Sequence, residues 1–444
     1  MISNKRQKNL LVLGDKLADT LRRGNFSFWG TMLMVTFSFC QNVNAEHLSA
    51  LTLEKIEKIA LETAPEIAQI RYKEQALREA AVAAGELPDP TIQAGIINVP
   101  TDNFSLTQEN MTQIKFSVAQ AFPKGQSLSI KSQQKELMAK AEQFRGQNTK
   151  ASILLTVRTE WLEIYYWTQA AKIVDEMMGT FKHLVDVTES MLAVGKTRQH
   201  DVLRAQLELS NIENRHIQIE QQIATLRARL GRWIGQEIAG LALPDRLPVW
   251  PQPPAQHLLQ QKINQHPHIK SDASLVAASR QEVAHAEEQY KPGWNLGLHY
   301  GFRQGTNTGR TSRRADFVGA QVGFDLPIFT AQRQDRHLAQ SLANLHATRE
   351  LQESDYRKMT SEVGQQYALW QKLLRQAEHY QQRLLPEAKQ YAEATLPAYQ
   401  NLLSDFSTLV QAFIAQLDTQ LKELRIRVDL SKTRAALLYL EGSD

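Results

Sequence analysis

The fold of this 444-residue chain is decided by two segments, GWNLGLHYGF at residues 293–302 and FVGAQVGFDLP at residues 317–327. In both segments large apolar residues alternate with polar residues or glycine, which is typical of a β-strand with one apolar and one polar face. Two alternating segments of about ten residues joined by a polar loop are the signature of a transmembrane β-barrel. Because two strands cannot close a barrel, we expect further strands from elsewhere in the chain or from other copies of it.

The alternation assigns each strand residue to a face. The predicted lipid-facing residues are Trp294, Leu296, Leu298, Tyr300, Val318, Val322 and Phe324. The predicted lumen-facing residues are Asn295, His299, Gln321 and Asp325. A soluble β-sandwich is the alternative, but the surrounding sequence is helical and offers no further strands to pack on. The basic loop between the strands, with Arg310, Arg313 and Arg314, either binds phosphate groups of lipopolysaccharide or is simply solvated.

The first 45 residues have the pattern of a secretory signal. Basic residues precede an apolar run at residues 26–40, and Val43, Asn44 and Ala45 form a small-residue cleavage site. We therefore expect a signal peptide at residues 1–45 and a mature chain that begins at Glu46; a membrane anchor is the alternative reading. This segment holds six of the 51 basic and two of the 47 acidic residues, so the remainder has 45 of each sign. That balance gives no reason to expect nucleic acid as a partner.

The chain repeats one layout. Pro90 and Pro292 occupy equivalent places 202 residues apart, and Gly195 and Leu402 do so 207 residues apart. A constant order of elements with a slowly growing offset indicates duplication followed by drift. The predicted domains are residues 46–242 for the first repeat, 243–256 for a Pro-rich connector and 257–444 for the second repeat.

Each repeat is predicted to contain a helix, two strands, a long helix, a turn and a long return helix. The strands are expected at about residues 91–99, 111–120, 293–303 and 316–326. The first helix is expected to run from Leu53 to about Leu87, and the first long helix from about Lys124 to Leu192. Pro386 and Pro397 predict a kink or short break in the second long helix.

Two turns complete a family resemblance: LAVGKTRQHDVLRA at residues 192–205 and YQNLLSDFSTL at residues 399–409. With the tandem repeat and the paired hairpins, they make residues 50–440 resemble the TolC family of outer-membrane efflux proteins. The resemblance implies a mainly α-helical fold with a transmembrane β-barrel part. In it, each subunit of a homotrimer gives four strands to a twelve-stranded barrel, which a long periplasmic α-helical barrel continues.

The resemblance also implies partners: outer-membrane lipid, a periplasmic adaptor (membrane fusion) protein and an inner-membrane exporter. The segments PDP at residues 88–90, NVP at 98–100 and QAFPKG at 120–125, with the Asp405–Phe406 pair, are similar to the branch that works with heavy-metal exporters of the resistance-nodulation-division class. That branch implies cations such as copper or silver as cargo. Lys196, Arg198 and Leu402 depart from the family pattern.

By the same resemblance the two turns are periplasmic tips that form a gate or dock the adaptor. The expected tip residues are Gly195, Arg198, Asp201, Leu203, Leu402, Asp405 and Thr408. Gly195 suits a left-handed conformation, and in the second tip Asn401 is expected to adopt it, because Leu402 stands where glycine is common. Asp201 and Asp405 either cap helices or form acidic rings that select cations.

No motif indicates catalysis or a resident cofactor. The sequence has no Gly-rich phosphate loop, nucleophile elbow or paired acids, so we expect neither an enzyme nor a cofactor. The histidines have no cysteine partners and no close carboxylate pairing, so no metal site is predicted, and His266 and His268 around Pro267 indicate a turn. Met177, Met178 and Met191 are potential Cu(I) ligands, but their helical positions favour packing.

Three functions fit these patterns. The first is the outer-membrane channel of a tripartite efflux system, a passive exit duct. The second is the outer-membrane duct of a type I secretion system for polypeptides. The third is a periplasmic coiled-coil adaptor without a pore. The alternation in the strands favours a channel, because an adaptor needs no lipid-facing belt. The sequence does not separate ion efflux from polypeptide secretion.

Overall fold

The computed structural model describes residues 51–307, 309 and 311–442. The predicted signal peptide, its cleavage site and Arg310 lie outside the described residues. The described chain is mainly helical with one small antiparallel sheet, which confirms the predicted fold class at that level.

The first half of the chain begins with two helices, passes through two strands and ends in a helical hairpin. Its elements are α1 (Leu53–Thr63), α2 (Pro65–Gly85), β1 (Thr91–Ile97), β2 (Gln113–Phe122), α3 (Ser127–Ala193), α4 (Gln199–Ile234) and the short α5 (Gln236–Ala239). The 67 residues of α3 make it about 100 Å long at 1.5 Å per residue.

The second half has the same order of elements. They are α6 (Gln256–Lys262), α7 (Pro267–Glu288), β3 (Gly293–Phe302), β4 (Phe317–Asp325), α8 (Gln334–His379), α9 (Leu385–Gln400) and α10 (Phe406–Leu440). A 3₁₀ turn at Ile263–Gln265 precedes α7, and a π-helical turn at Tyr380–Leu384 joins α8 to α9.

Proline shapes the helices differently from the sequence expectation at Pro65 and Pro397, whereas the helix is interrupted next to Pro386 as expected. The predicted first helix is two helices, because Ala64 precedes Pro65 and takes an extended conformation that the helix cannot contain. Pro386 lies in the first turn of α9, directly after the π-helical turn, where its missing N–H is tolerated. Pro397 does not break the helix: it lies inside α9, which continues to Gln400.

The sheet has the strand order β1-β2-β3-β4 with every neighbour antiparallel. The register pairs Phe116 with Tyr300 and Tyr300 with Val318, so apolar residues of adjacent strands stand side by side. Phe122 and Trp294 stack with their ring centroids 4.0 Å apart. The two hairpins, about 200 residues apart in sequence, are thus joined through β2 and β3 into one sheet.

The core lies between the long helices. Trp161, Phe181 and Leu184 of α3 are buried together with Ile212 and Leu230 of α4 and with Leu409 and Leu417 of α10. A smaller cluster, with Leu259, Ile269, Val363 and Leu437, surrounds the start of α7. Met177 and Met191 belong to the larger core, so packing accounts for their positions. No helix in the described part of the chain is long and apolar enough to span a bilayer.

Candidate functional site

One face of the sheet is apolar and exposed in the single chain. All seven residues predicted to face lipid are exposed or partly exposed, and the face continues over β1 and β2 through Ile92, Ile96, Phe116, Val118 and Phe122. A continuous apolar surface of this kind is rare on a monomeric soluble protein and marks an interaction with lipid or protein. The assignment of this face to lipid stays a prediction.

The opposite face combines polar side chains with glycines. A Cβ atom built on Gly319 would lie 2.4 Å from the ring of its cross-strand partner His299, and one on Gly323 would lie 2.8 Å from the amide of Asn295. The predicted lumen side chains therefore lie across neighbouring glycines, which leave room for them. Gln321 and Asp325 share this face by register.

The outer edges of β1 and β4 have no strand partner among the described residues. Each edge presents a row of backbone N–H and C=O groups that a further strand can pair with. In hydrocarbon such groups cost several kcal/mol each when unpaired, which is why lipid tolerates only closed barrels. A four-stranded sheet with two open edges is therefore incomplete as a membrane structure.

A buried arginine closes the loop end of the sheet by hydrogen bonding, whereas its neighbour Arg313 remains exposed. Arg314 is buried and donates to the carbonyl oxygens of Gln304, Thr306 and Glu109, the last at 3.0 Å. Arg313 pairs with Asp316 at 2.9 Å. The expectation of a solvated or phosphate-binding basic loop is therefore wrong for Arg314, whose guanidinium ties the loop of the second hairpin to that of the first.

The turn between α3 and α4 ends α3 with Gly195 in a left-handed conformation, at φ 70°. The N–H of Lys196 donates to the carbonyl of Met191 and that of Gly195 to Leu192, which together form a Schellman-type cap. At the start of α4, Oδ2 of Asp201 accepts from the hydroxyl of Thr197 at 2.8 Å and from the N–H of Arg198 at 3.4 Å. Asp201 is therefore a capping residue in this structure.

The second turn has the same hydrogen bonds, but Leu402 takes the left-handed conformation, at φ 61°, and Asn401 does not. The expectation for Asn401 was wrong because the turn keeps the geometry of the first repeat, in which this place belongs to Gly195. Asp405 caps α10: its Oδ1 accepts the N–H of Thr408 at 2.7 Å, and this hydrogen bond lowers the pKa of Asp405.

The two turns lie side by side at one end of the helical part. The hydroxyls of Thr197 and Tyr399 are 3.2 Å apart, and Arg204 donates to the Ser407 hydroxyl at 3.1 Å. The predicted tip residues are thus brought together. The tips also expose apolar side chains to solvent, namely Val194, Leu203, Leu402 and Leu403.

The structure also brings together three potential ligands that the sequence analysis did not group. His268 and Asp272 of α7 and Asp355 of α8 place one ligand atom each within 4.8 Å of one another. The expectation that no histidine has a close carboxylate pairing is therefore wrong. The spacing of His268 and Asp272, four residues apart on a helix, was a signal in the sequence. Asp355 was not, because it joins them only through helix packing.

Burial shapes the electrostatics of this region. It raises the pKa of Asp272; His268 and Arg145 oppose this shift, and Asp355 adds to it. Next to the cluster, His266 caps α7 by accepting the N–H of His268 at Nδ1, so its Nε2 carries the proton donated to the carbonyl of Tyr439 at 3.0 Å. Burial lowers the pKa of His266, in accord with a neutral ring.

Comparison with solved structures defines the class of this fold. The chain is similar to the outer-membrane channel OprN, at 17% identity and a TM-score of 0.73, over 89% of this chain and 91% of that one. It is similar to the outer membrane protein VceC of Vibrio cholerae, at 16% identity and a TM-score of 0.76, over 88% and 96%. It is similar to CusC at 14% identity and a TM-score of 0.75, over 95% of this chain and 99% of that one. The chain therefore shares the fold of these outer-membrane proteins.

Sequence comparison finds one family match in this chain. Residues 258–443 match the model of the family described as Outer membrane efflux protein. The match covers the second half of the chain, and the first half repeats the same order of helices and strands. No curated protein matches the chain in sequence.

Proposed function

We propose that this protein is the outer-membrane channel of a tripartite efflux system, formed by three copies of the chain. The observation that carries the proposal is the four-stranded sheet with an exposed apolar face and two edges that pair with no other strand in the described part of the chain. Lipid would cover the apolar face, and neighbouring copies would pair with the edges and close a barrel. The polar face with Asn295, His299, Gln321 and Asp325 would then line a wet lumen.

The helical hairpins would extend this lumen into the periplasm. With α3 about 100 Å long, the helices span a distance far greater than a bilayer. Such a duct is passive, and an inner-membrane exporter of the resistance-nodulation-division class would supply the energy. Nothing in the sheet or the tips resembles a catalytic constellation within the described residues, and a conduit needs none.

The tips would dock the adaptor protein and form the gate. Their leucines and valine are exposed apolar surface, and a groove beside them is lined by Val187, Met191, Val194 and Gln400. Apolar side chains at the end of a helical hairpin suit contact with another helical protein. Gly195, Arg198 and Thr408 would shape the turns rather than bind directly.

Planar-bilayer recording of the purified protein tests the channel. We expect discrete single-channel steps from trimers, because a closed barrel with a polar interior conducts ions. A protein that inserts without conducting, or that yields only soluble monomers, would contradict the proposal. A pore-less adaptor gives the second of these outcomes.

The same recordings test the acidic gate. Asn caps a helix about as well as Asp, so the double variant Asp201→Asn, Asp405→Asn keeps both turns while it removes six charges from a trimer. We expect lower cation preference at low salt and a smaller difference at high salt, where screening is stronger. Unchanged selectivity at low salt would show that the two aspartates act only as caps.

The proposed cargo is heavy-metal cations such as copper or silver. The support is the resemblance of residues 88–90, 98–100 and 120–125 to the heavy-metal branch. Removal of the gene from its host should raise intracellular copper or silver and sensitivity to them, and the intact gene should restore both. If metal levels stay constant while a secreted polypeptide disappears from the medium, the duct serves type I secretion instead.

A further inference from the structure

The cluster of His268, Asp272 and Asp355 lies between helices α7 and α8, away from the sheet and the tips. Asp272 is one helical turn after His268, and Asp355 faces both from the neighbouring helix. The Nε2 atom of His268 is 3.5 Å from Oδ2 of Asp355 and 4.0 Å from Oδ2 of Asp272. About 20 residues of helix, or roughly 30 Å, separate the cluster from the start of β3.

The buried carboxylate of Asp272 is the feature that indicates a bound ligand. Asp272 is only 7% exposed, and its Oδ2 atom is buried without a hydrogen-bond partner among the residues that the structure describes. A buried carboxylate oxygen that lacks a partner is costly, so such atoms are normally paired or coordinate a metal. His268 is too far away, at 4.0 Å, to donate a hydrogen bond to it.

Arg145, a charged residue near the cluster, does not supply a hydrogen bond to Oδ2 of Asp272. Arg145 of α3 is close enough to influence Asp272, but its guanidinium donates to Glu142 at 2.7 Å. As metal ligands, two carboxylates and one neutral imidazole would together carry two negative charges. A single divalent cation between them would balance that charge and satisfy the unpaired oxygen.

We propose that His268, Asp272 and Asp355 bind one zinc-like divalent cation that joins α7 to α8. One imidazole nitrogen and two carboxylate oxygens are the ligand types that Zn²⁺ accepts, with a fourth position left for water. Ligands at about 2.0–2.2 Å from a tetrahedral ion lie about 3.3 Å apart, so only small side-chain rotations are needed. The set has no sulfur ligand and is therefore unlike the sites that Cu(I) prefers.

The surroundings prepare the site. Pro267 and the His266 cap fix the first turn of α7, which places His268 at a defined position. Farther along the same pair of helices, Ser279 and Thr348 are 3.3 Å apart, and Tyr290, just after the end of α7, donates to Asp335 of α8 at 2.6 Å. The cation would form the third connection along this antiparallel pair. His268 is partly exposed, which gives the ion a path from solvent.

Calorimetric titration of the full chain in detergent, after chelator treatment, with Zn²⁺ alone tests the proposal. We expect about one Zn²⁺ per wild-type chain. His268→Gln and Asp355→Asn should each weaken binding at least tenfold, on the order of what disturbing a metal site usually costs. His346→Gln is the matched control, since His346 is exposed on α8 and outside the cluster. It should bind Zn²⁺ like the wild type.

Thermal unfolding gives a second measure. Zn²⁺ should raise the Tm of the wild type and of His346→Gln but not that of His268→Gln. Absence of stoichiometric zinc binding by the wild type would overturn the proposal and leave His268 as a polar contact between the two helices. Equal affinity in the cluster variants and the wild type would also overturn it. Neither result depends on conductance, so the proposed channel function stands or falls separately.

Discussion

At the scale of single residues, the two tips form the same turn around two different residues. Gly195 and Leu402 occupy equivalent places and both have a positive φ, but only glycine adopts this conformation without steric cost. No neighbouring atom lies within 4 Å of a Cβ built on Gly195, so a substitution there meets only backbone strain. The second tip therefore carries strain that the first does not.

Substitutions at these two positions should change the stability of the two tips in opposite directions. Leu402→Gly should stabilise the second turn by about 1 kcal/mol, and Gly195→Ala should destabilise the first by a similar amount. Hydrogen exchange of the tip amides measures both, because local opening of a turn limits exchange there. Effects of the same sign at the two tips would contradict the assignment of strain.

Glu163 and Glu160, three residues apart on α3, show how local partners decide the role of a buried carboxylate. Burial raises the pKa of Glu163, but hydrogen bonds from Arg425 and Lys432 outweigh it, so its net pKa is lowered. Arg425 holds Glu163 through two bonds of 2.8 and 2.9 Å. Glu160 has a buried oxygen without a partner, and burial raises its pKa.

These opposite shifts predict opposite pH dependence. A lowered folded pKa means that Glu163 stabilises the fold above its ordinary value of 4.5, and this is lost as pH falls through the folded pKa. Glu163→Gln should cost about 2 kcal/mol at pH 7 and less in acid. Glu160→Gln should be neutral or stabilising at pH 7, because ionised Glu160 opposes folding. Thermal unfolding followed by circular dichroism at several pH values compares them; a similar loss in both would refute the argument.

At the scale of elements, the sheet depends on which face of each strand meets lipid. Leu298 and Val322 project from the exposed apolar face, whereas Gln321 lies on the polar face of the same strand as Val322. An arginine near the bilayer midplane costs about 2–4 kcal/mol on the lipid face, and a trimer would contain three. The same charge in a wet lumen costs little.

Trimer yield from membranes measures this difference. We expect Leu298→Arg and Val322→Arg to reduce assembled trimer strongly, and Gln321→Arg to leave it near the wild-type level. Gln321→Arg is the matched control, since it adds the same side chain one residue away from Val322. Equal yields for the lipid-face and lumen-face variants would mean that the faces are assigned the wrong way round.

At the scale of the whole molecule, the residues from 51 to 442 that the structure describes leave two strand edges without a partner and one apolar sheet face exposed. We therefore expect the mature protein to occur in the outer membrane as a trimer that begins at Glu46. Cross-linking of outer-membrane fractions should trap species up to the trimer, and amino-terminal sequencing should start at Glu46. A lipid-modified or uncleaved amino terminus would contradict the predicted signal at residues 1–45, and a soluble monomer would contradict the trimer.

The sequence by itself determined the helical fold with its small antiparallel sheet, because alternation, helical periodicity and proline positions are local signals. It also placed the return helix and the turn at Gly195. What only the tertiary structure decided depends on partners distant in sequence. Arg314 is buried because it reaches Glu109, 205 residues away. Leu402 is left-handed because the repeat keeps one turn geometry. Asp355 lies beside His268 and Asp272 because α7 and α8 pack against each other. The register of packed helices decides such contacts, and no local sequence pattern predicts it.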